Sequence, residues 1–247
     1  MLASFNTHLF WEALSSGPFW RGALLAIEIT VVSFAIALVI GFFLALGRNS
    51  RSRAVRGGVF LYTWFFRATP TLLQLLFVWD ALPQMWSTFN HGWFTPFLAA
   101  TIALSLNEGA YMVEIIRSGL MSVDPGQELA GRALGMSRRR ILRRIVVPQA
   151  VRIVIPPMGN EFITLLKLTS LASVISVTEL LTAAQDFYST NASYEEAFAA
   201  AGLYYLFIVS ILMYLQSRLE KRFTFASRSR KPVAAAPAVP AMSHDAR

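Results

Sequence analysis

The sequence predicts an all-α integral membrane protein with five transmembrane helices, and three observations support this fold class. Of the 247 residues, 55% are hydrophobic and only 15% are charged, whereas soluble domains carry about 25% charged residues. The mean hydropathy is +0.50. Five apolar segments can each cross roughly 30 Å of hydrocarbon as a helix, and the basic residues fall in alternate connecting loops.

The predicted transmembrane segments follow one another along most of the chain. They are residues 22–46, 59–79, 97–116, 151–177 and 198–215. The first contains Glu28, Thr30 and Ser33 near one end, which indicates a face turned toward protein rather than lipid. The second carries Arg67 and Pro70 and is predicted as one span.

The two ends of the chain differ in composition from the segments between them. Residues 1–20 are rich in Phe and Trp, which is typical of a helix in the membrane interface; a frayed leader is the alternative. No basic cluster precedes a short apolar core with a cleavage site, so we expect no removable signal peptide. Residues 21–218 form the predicted transmembrane domain. Residues 219–247 are basic and then Ala/Pro-rich, which predicts a disordered tail.

The distribution of Lys and Arg predicts the orientation in the membrane. The loops at 48–56, 117–152 and 218–231 contain nearly all of these residues, whereas the loops at 80–96 and 179–197 contain none. Basic loops remain on the cytoplasmic side. The N-terminus is therefore expected outside and the C-terminus in the cytoplasm. Because topology explains the net charge of +8, we expect no nucleic-acid partner.

The sequence does not support catalysis. The absence of cysteine excludes a disulfide or a thiolate metal site, and the three histidines, His8, His91 and His244, are too far apart to suggest a metal site. No P-loop is present, and no span holds a Ser or Thr nucleophile with a plausible base. We expect no enzyme activity and no cofactor, so another chain must supply any driving energy.

Several charged residues lie inside the predicted spans, where they usually face a cavity, a partner or a solute path. Arg67 is early enough in its span for its side chain to snorkel to the cytoplasmic face. Glu114 and Arg117 are three residues apart and are predicted to form an ion pair. The hypothesised solute-path residues are Asn107, Glu108, Glu161, Thr164 and Lys167.

Glu161, Thr164 and Lys167 recur every three residues along the fourth span. On a helix this row drifts by about 120° in total, so it forms a slanting polar stripe. Such a stripe can join neighbouring helices or line a solute path, and periodicity leaves both readings open.

The longest polar interval, residues 122–148, separates the third and fourth spans, and a connection of this length usually has a function. Pro125 suits the start of a short helix and Gly135 its end. Leu134 and Met136 offer apolar contacts. The arginines that follow are explained by topology and by attraction to anionic membrane lipid, which is compatible with a docking role for the interval.

The run ELAGRALG at 128–135, followed by IVVP at 145–148, resembles the EAA signature of ATP-binding-cassette (ABC) importer permeases, a cytoplasmic helix-turn-helix that seats in a groove of the ATPase subunit. Three further stretches resemble the polar amino acid uptake subfamily. These are FRATP at 66–70 with Gln74, ALSLNEGAY at 103–111 leading to EIIR at 114–117, and LLKLTSL at 165–171. The resemblance covers roughly residues 20–218.

Two positions depart from the family pattern. Counted back from Gly135, the place of the signature's glutamate is occupied by Leu129, and Glu128 lies one residue earlier. Leu168 stands where many relatives carry a polar or acidic residue. Any contact that the polar residue of those relatives makes with solute is therefore absent from this chain.

The resemblance implies a type I ABC importer permease of the bacterial inner membrane, carrying a polar amino acid or a close analogue. It implies three protein partners: an ATPase subunit that binds the ATP, a periplasmic solute-binding protein, and a second permease that is identical or homologous. The implied ATPase-coupling residues are Glu128, Leu129, Ala130, Gly131, Arg132, Ala133, Leu134, Gly135 and Met136.

Two other functional classes remain open at this point. A secondary transporter typically has internal inverted repeats over more spans, and no repeat is visible here. A signalling or scaffold membrane protein would not need polar residues inside its spans. Co-purification with an ATPase subunit separates all three classes.

Overall fold

The computed structural model of the chain describes residues 5–224, and every regular element in that range is helical. The α-helices are α1 Thr7–Ser15, α2 Gly17–Arg48, α3 Arg53–Ala68, α4 Thr71–Leu76, α5 Leu82–Met85, α6 Pro96–Met121, α7 Pro125–Ala133, α8 Arg138–Ile141, α9 Val147–Leu168, α10 Leu180–Asn191 and α11 Tyr194–Thr224. Wider π-turns occupy Phe77–Ala81 and Leu142–Val146, and 3-10 turns occupy Ser87–Asn90 and Thr169–Ile175.

Helices α2 and α6 pack against each other along the centre of the molecule. Small residues allow this close approach: a Cβ atom built on Gly41 would collide with Met112, and one built on Gly109 would lie 2.9 Å from Ile40 Cγ2. Small residues favour helix association in lipid because they allow close van der Waals packing, which matters there since the hydrophobic effect between helices is absent. The buried part of α6 also contains Asn107 and Glu108.

The N-terminal residues form a helix, so the frayed-leader alternative is wrong for the range Thr7–Ser15. The Asn6 side chain caps α1 by accepting hydrogen bonds from the amides of His8 and Leu9. The Tyr204 hydroxyl on α11 donates to the Leu14 carbonyl at 2.8 Å, and the Asn6 amide donates to Glu196 Oε1 at 2.6 Å. These contacts with α11 hold the segment in place.

The predicted second span, residues 59–79, is not one continuous helix. Helix α3 ends at Ala68, Thr69 has an extended backbone with φ −99° and ψ 143°, and α4 begins at Thr71. Pro70 is the cause, because proline lacks the amide hydrogen of a helix interior and disfavours the helical conformation in the residue before it.

The fourth and fifth predicted spans differ from the observed helices in their bounds. Helix α9 begins at Val147, four residues before the predicted start, and gives way to the 3-10 turn Thr169–Ile175 within the predicted span. Helix α11 extends beyond both predicted ends and contains residues 219–224 of the predicted tail. Residues 225–247 of that tail lie outside the described residues.

The predicted loop at 179–197 is largely helical, because α10 fills Leu180–Asn191. Glu179 caps this helix by accepting hydrogen bonds from the amides of Leu181 and Thr182 at 2.9 and 3.0 Å. Leu180, Ala183 and Ala184 are buried against α2 and α11. A buried apolar face of this kind stabilises a helix that is too short to be stable alone.

Within residues 5–224, two helical stretches are long and apolar enough to cross a membrane, Gly17–Arg48 and Tyr194–Phe223. A third crossing results if Arg138–Ile175 and Leu180–Asn191, which meet at 48°, form one bent span. Helix α6 is long but polar at Asn107 and Glu108, and the second predicted span is divided. Length and apolarity therefore account for two or three of the five predicted crossings.

Candidate functional site

A buried group of amides lies where α3 and α4 separate. Asn107 Nδ2 on α6 donates to the Phe66 carbonyl at 3.1 Å and to Gln74 Oε1 at 3.0 Å. Gln74 Nε2 donates to the Phe66 carbonyl at 2.9 Å and to Thr69 Oγ1 at 2.8 Å. Asn107, a predicted solute-path residue, therefore has both of its amide hydrogens engaged within the protein.

Glu108, the next residue on α6, faces a different neighbour. It is 1% exposed, and its Oε1 atom has no hydrogen-bond partner among the described residues. It lies near Glu161 on α9, and Glu161 in turn lies near Arg67 on α3. The fold thus brings two predicted solute-path residues, Glu108 and Glu161, together with Arg67.

Arg67 also lines a cavity of about 460 Å³ at the ends of α2, α3 and α6. Its guanidinium lies 5.3 Å from the centre of the Tyr111 ring, a cation–π distance. Glu114 lines the same cavity and forms the predicted ion pair with Arg117, Oε2 to Nε, at 3.5 Å. The ion-pair prediction is confirmed.

Thr164 and Lys167, the other two stripe residues, do not join the Glu108 group. Both are exposed and line a separate cavity of about 480 Å³ between α9 and α11. The stripe is therefore divided: Glu161 interacts with α3 and α6, whereas Thr164 and Lys167 lie on the side of α11.

A polar contact between α9 and α11, which the sequence reasoning missed, accompanies two prolines. Pro156 and Pro157 lie inside α9, where each removes a backbone hydrogen bond. Gln216 Nε2 on α11 donates to Asn160 Oδ1 at 2.8 Å and to Glu220 Oε1 at 3.0 Å, and lies 3.4 Å from the Pro156 carbonyl. The adjacent prolines in an apolar run were the available signal.

The interval 122–148 folds as two helices around a turn. Helix α7 begins at Pro125, and the side chain of the preceding Asp124 accepts a hydrogen bond from the Gly126 amide at 2.8 Å. Gly135 has φ +70°, and the Met136 amide donates to the Gly131 carbonyl at 3.0 Å. This is the geometry of a glycine-terminated helix, so the predicted roles of Pro125 and Gly135 at the helix ends are confirmed.

Helix α7 presents its larger apolar side chains outward. Leu129 is 65% exposed and Leu134 is 81% exposed, whereas Gly131 is buried and a Cβ there would lie 2.9 Å from Ile141 Cγ1 on α8. Glu128 pairs with Arg132 on the same helix. Ala130 and Ala133 belong to this helix, and Met136 follows the turn. The sequence-predicted coupling residues 128–136 thus form one structural unit, and most of them are exposed, with Gly131 buried against α8.

Comparison with known proteins identifies relatives over most of the chain. Residues 37–225 match the family described as binding-protein-dependent transport system inner membrane component. The arginine transport system permease protein ArgU of Corynebacterium glutamicum is 41% identical over 211 residues, which are 81% of this chain and 66% of that protein. The L-cystine transport system permease protein TcyB of Bacillus subtilis is 37% identical over 214 residues, 86% of this chain and 87% of that protein.

The fold has a counterpart in a solved structure described as an amino acid ABC transporter with histidines. The superposition has a TM-score of 0.80 at 32% sequence identity, and it covers 90% of this chain and 100% of that chain.

Proposed function

The chain belongs to the family of binding-protein-dependent transport system inner membrane components, and we propose that it is the permease subunit of an ATP-driven importer for polar amino acids or close analogues. The single observation that carries this proposal is the match to amino acid permeases over more than four fifths of the chain. It is a multi-pass inner-membrane protein with no catalytic role, and ATP hydrolysis belongs to a separate subunit.

We propose that the transmembrane domain, residues 21–218, crosses the membrane five times. The crossings are α2, the broken segment from α3 to α5, α6, α9 with the turn that follows it, and α11. The distribution of Lys and Arg supports an N-terminus outside and a C-terminus in the cytoplasm. Labelling of single cysteines introduced at exposed Asn191 and Ser52 tests this, and labelling of both from the same side would contradict it.

Helix α7 and the following turn are proposed as the element that couples the ATPase to the permease. The exposed Leu129 and Leu134 support this, because apolar side chains on a short surface helix gain stability when a partner covers them. Leu129 at the usual glutamate position adds to this apolar surface. The contact of this chain with the ATPase is therefore expected to depend less on an acidic side chain than the contact of permeases that carry the usual glutamate.

The coupling proposal is tested by substitutions on the exposed surface of this unit. In the purified complex, Leu134→Glu and Gly135→Asp should abolish solute-stimulated ATP hydrolysis while the permease remains inserted. Val55→Glu, which places the same charge at another exposed apolar position, is the matched control. Normal ATP hydrolysis and normal solute uptake in both test variants would contradict the docking role.

For the solute path we propose Glu108 and Glu161 as the first candidates, with Thr164 and Lys167 in the cavity beside α11. The buried Glu108 Oε1 atom supports this, because it has no hydrogen-bond partner among residues 5–224 and an unsatisfied carboxylate oxygen can accept a hydrogen bond from a polar solute. Asn107 is proposed to hold the α3–α4 break beside this path, because its side-chain amide donates to the Phe66 carbonyl and to Gln74. If Glu161→Ala and Lys167→Ala leave uptake and solute preference unchanged, the stripe joins helices and does not line the path.

The proposed assembly contains two permeases, because one set of five helices makes only half of a pathway. The second permease is a copy of this chain or a homologue. A periplasmic solute-binding protein delivers the solute, and ATPase subunits bind ATP and close in the cytoplasm. Co-purification of the ATPase with the tagged permease, and uptake that stops without ATP, test this assembly.

A further inference from the structure

Four arginines and one serine line a single cleft on the segment that joins α7 to α9. The cleft has a volume of about 340 Å³, and its lining consists of Ser137, Arg139, Arg140, Arg143 and Arg144. All five residues are exposed. The π-turn Leu142–Val146 lies within this segment, so the arginines before it and those inside it belong to one helical stretch.

These arginines have no counter-charge in the part of the chain that the structure describes. None of the four takes part in an ion pair or a side-chain hydrogen bond among residues 5–224. The carboxylate of Glu128 on the neighbouring α7 is engaged by Arg132. Ser137 does not cap the helix that follows it. A cleft lined by several cations and a hydroxyl, with no acidic partner, favours an anionic ligand.

The chemistry of the cleft favours a phosphate group in particular. A guanidinium presents its N–H donors in a planar fork that matches two oxygens of a phosphate, and it stays charged at every physiological pH. Neighbouring arginines can therefore hold a phosphate from more than one direction. Such a ligand would also relieve the repulsion between the guanidinium groups.

Exposed apolar side chains lie on the same helical stretch as the cleft. Leu142, Val147 and Val151 are 49%, 40% and 46% exposed, respectively. A ligand that covers both parts needs an anionic head and apolar chains. A phospholipid has this construction, and basic residues at the cytoplasmic end of a transmembrane helix attract anionic lipid headgroups.

We propose that the cleft lined by Ser137, Arg139, Arg140, Arg143 and Arg144 binds the phosphate of one anionic phospholipid, whose acyl chains lie against Leu142, Val147 and Val151. This is a defined site, unlike the diffuse attraction that any basic loop exerts on an anionic membrane. The proposal concerns lipid recognition, so it does not depend on which solute the permease carries.

Native mass spectrometry of the permease complex tests the proposal directly. The complex is released from nanodiscs that contain phosphatidylglycerol and phosphatidylcholine in equal amounts, and the retained lipid is identified. The test variant is Arg140→Gln/Arg144→Gln, which leaves the other basic residues of the segment in place. The matched control is Arg51→Gln/Arg53→Gln, which removes two exposed charges, one just before α3 and one at its first residue.

We expect the wild-type complex and the control variant to retain phosphatidylglycerol selectively. The test variant should bind it about thirtyfold more weakly, since each basic residue near an anionic surface contributes about 1 kcal/mol. Arg140→Lys/Arg144→Lys keeps the charge but lacks the planar fork, so its affinity should lie between that of the test variant and that of the wild type. Size-exclusion chromatography and circular dichroism establish that each variant is folded before its lipid is measured.

Four results would overturn the proposal. Equal loss of lipid in the control variant would mean that total surface charge, and not the cleft, attracts it. Undiminished retention in the test variant would place the lipid elsewhere. Displacement of the lipid by inorganic phosphate alone would identify free phosphate as the ligand. If the test variant loses the ATPase subunit but retains the lipid, the cleft is a contact with that subunit and not a lipid site.

Discussion

Asn107 on α6 donates a hydrogen bond to Gln74 on α4 at 3.0 Å, and both side-chain amides also donate to the Phe66 carbonyl. In a continuous helix, the carbonyl of Phe66 would accept from the amide of residue 70. That residue is Pro70, which has no amide hydrogen. The two buried side chains therefore satisfy the backbone oxygen that the proline leaves without its helical partner.

Replacement of Asn107 by alanine should lower the free energy of unfolding by about 1 kcal/mol, since side-chain hydrogen bonds between membrane helices average about 0.6 and reach about 1.7 kcal/mol. Unfolding of the permease in mixed micelles measures this. Asn191→Ala is the control, because Asn191 is exposed and its side chain donates to the Phe187 carbonyl of its own helix. Equal losses in the two variants would remove the role assigned to Asn107.

The break at Pro70 illustrates why sequence reasoning was incomplete. Hydrophobic runs predicted the apolar segments, Pro125 and Gly135 predicted the ends of α7, and a spacing of three residues predicted the Glu114–Arg117 pair. Each of these features depends on residues close together in sequence. Whether a proline bends a helix or divides it depends on distant partners. Here the partner of the Phe66 carbonyl includes Asn107, which lies 41 residues away.

The same limit explains α10 and the divided stripe. Helix α10 is stable because Leu180, Ala183 and Ala184 are buried against distant helices, and its own twelve residues do not specify those neighbours. The spacing of Glu161, Thr164 and Lys167 predicted a slanting row. It could not indicate that α6 would lie near one end of the row and α11 beside the other.

Gly22→Ala should destabilise the contact between α2 and α10. A Cβ atom on Gly22 would lie 2.8 Å from the backbone N and Cα atoms of Leu180, and backbone atoms cannot move aside as a flexible side chain can. We expect a loss of about 1–3 kcal/mol, as for overpacking elsewhere, measured by unfolding in detergent. Gly202→Ala on α11 has nothing within 4 Å and should be neutral or slightly stabilising. Similar effects of the two substitutions would argue against the close approach.

Glu179→Ala should destabilise α10 and its contact with α11. The fully buried carboxylate caps α10 and accepts a hydrogen bond from the Tyr205 hydroxyl at 3.0 Å, so its removal leaves several donors without a partner. The expected loss of unfolding free energy is about 1–3 kcal/mol, measured by thermal unfolding of the purified permease.

Two further variants serve as comparisons. Glu179→Gln keeps an acceptor oxygen and should lose less stability than Glu179→Ala. Asp186→Ala, at an exposed position of the same helix, should have little effect, and a larger loss there than at Glu179 would contradict the capping role.

Gly135→Ala should loosen the turn after α7 through the backbone alone. The residue has φ +70°, and a Cβ there would meet nothing within 4 Å, so the cost is the left-handed conformation, about 1–2 kcal/mol for alanine. Hydrogen exchange should therefore accelerate at the amides of Gly135 or its replacement and of Met136, which donate to the Arg132 and Gly131 carbonyls. Gly135→Asn should change exchange less, because asparagine adopts this conformation more readily. Gly58→Ala, at a glycine with equal space but without a positive φ, should leave the turn unchanged. If exchange at Met136 is the same in wild type and Gly135→Ala, the left-handed glycine does not hold the turn.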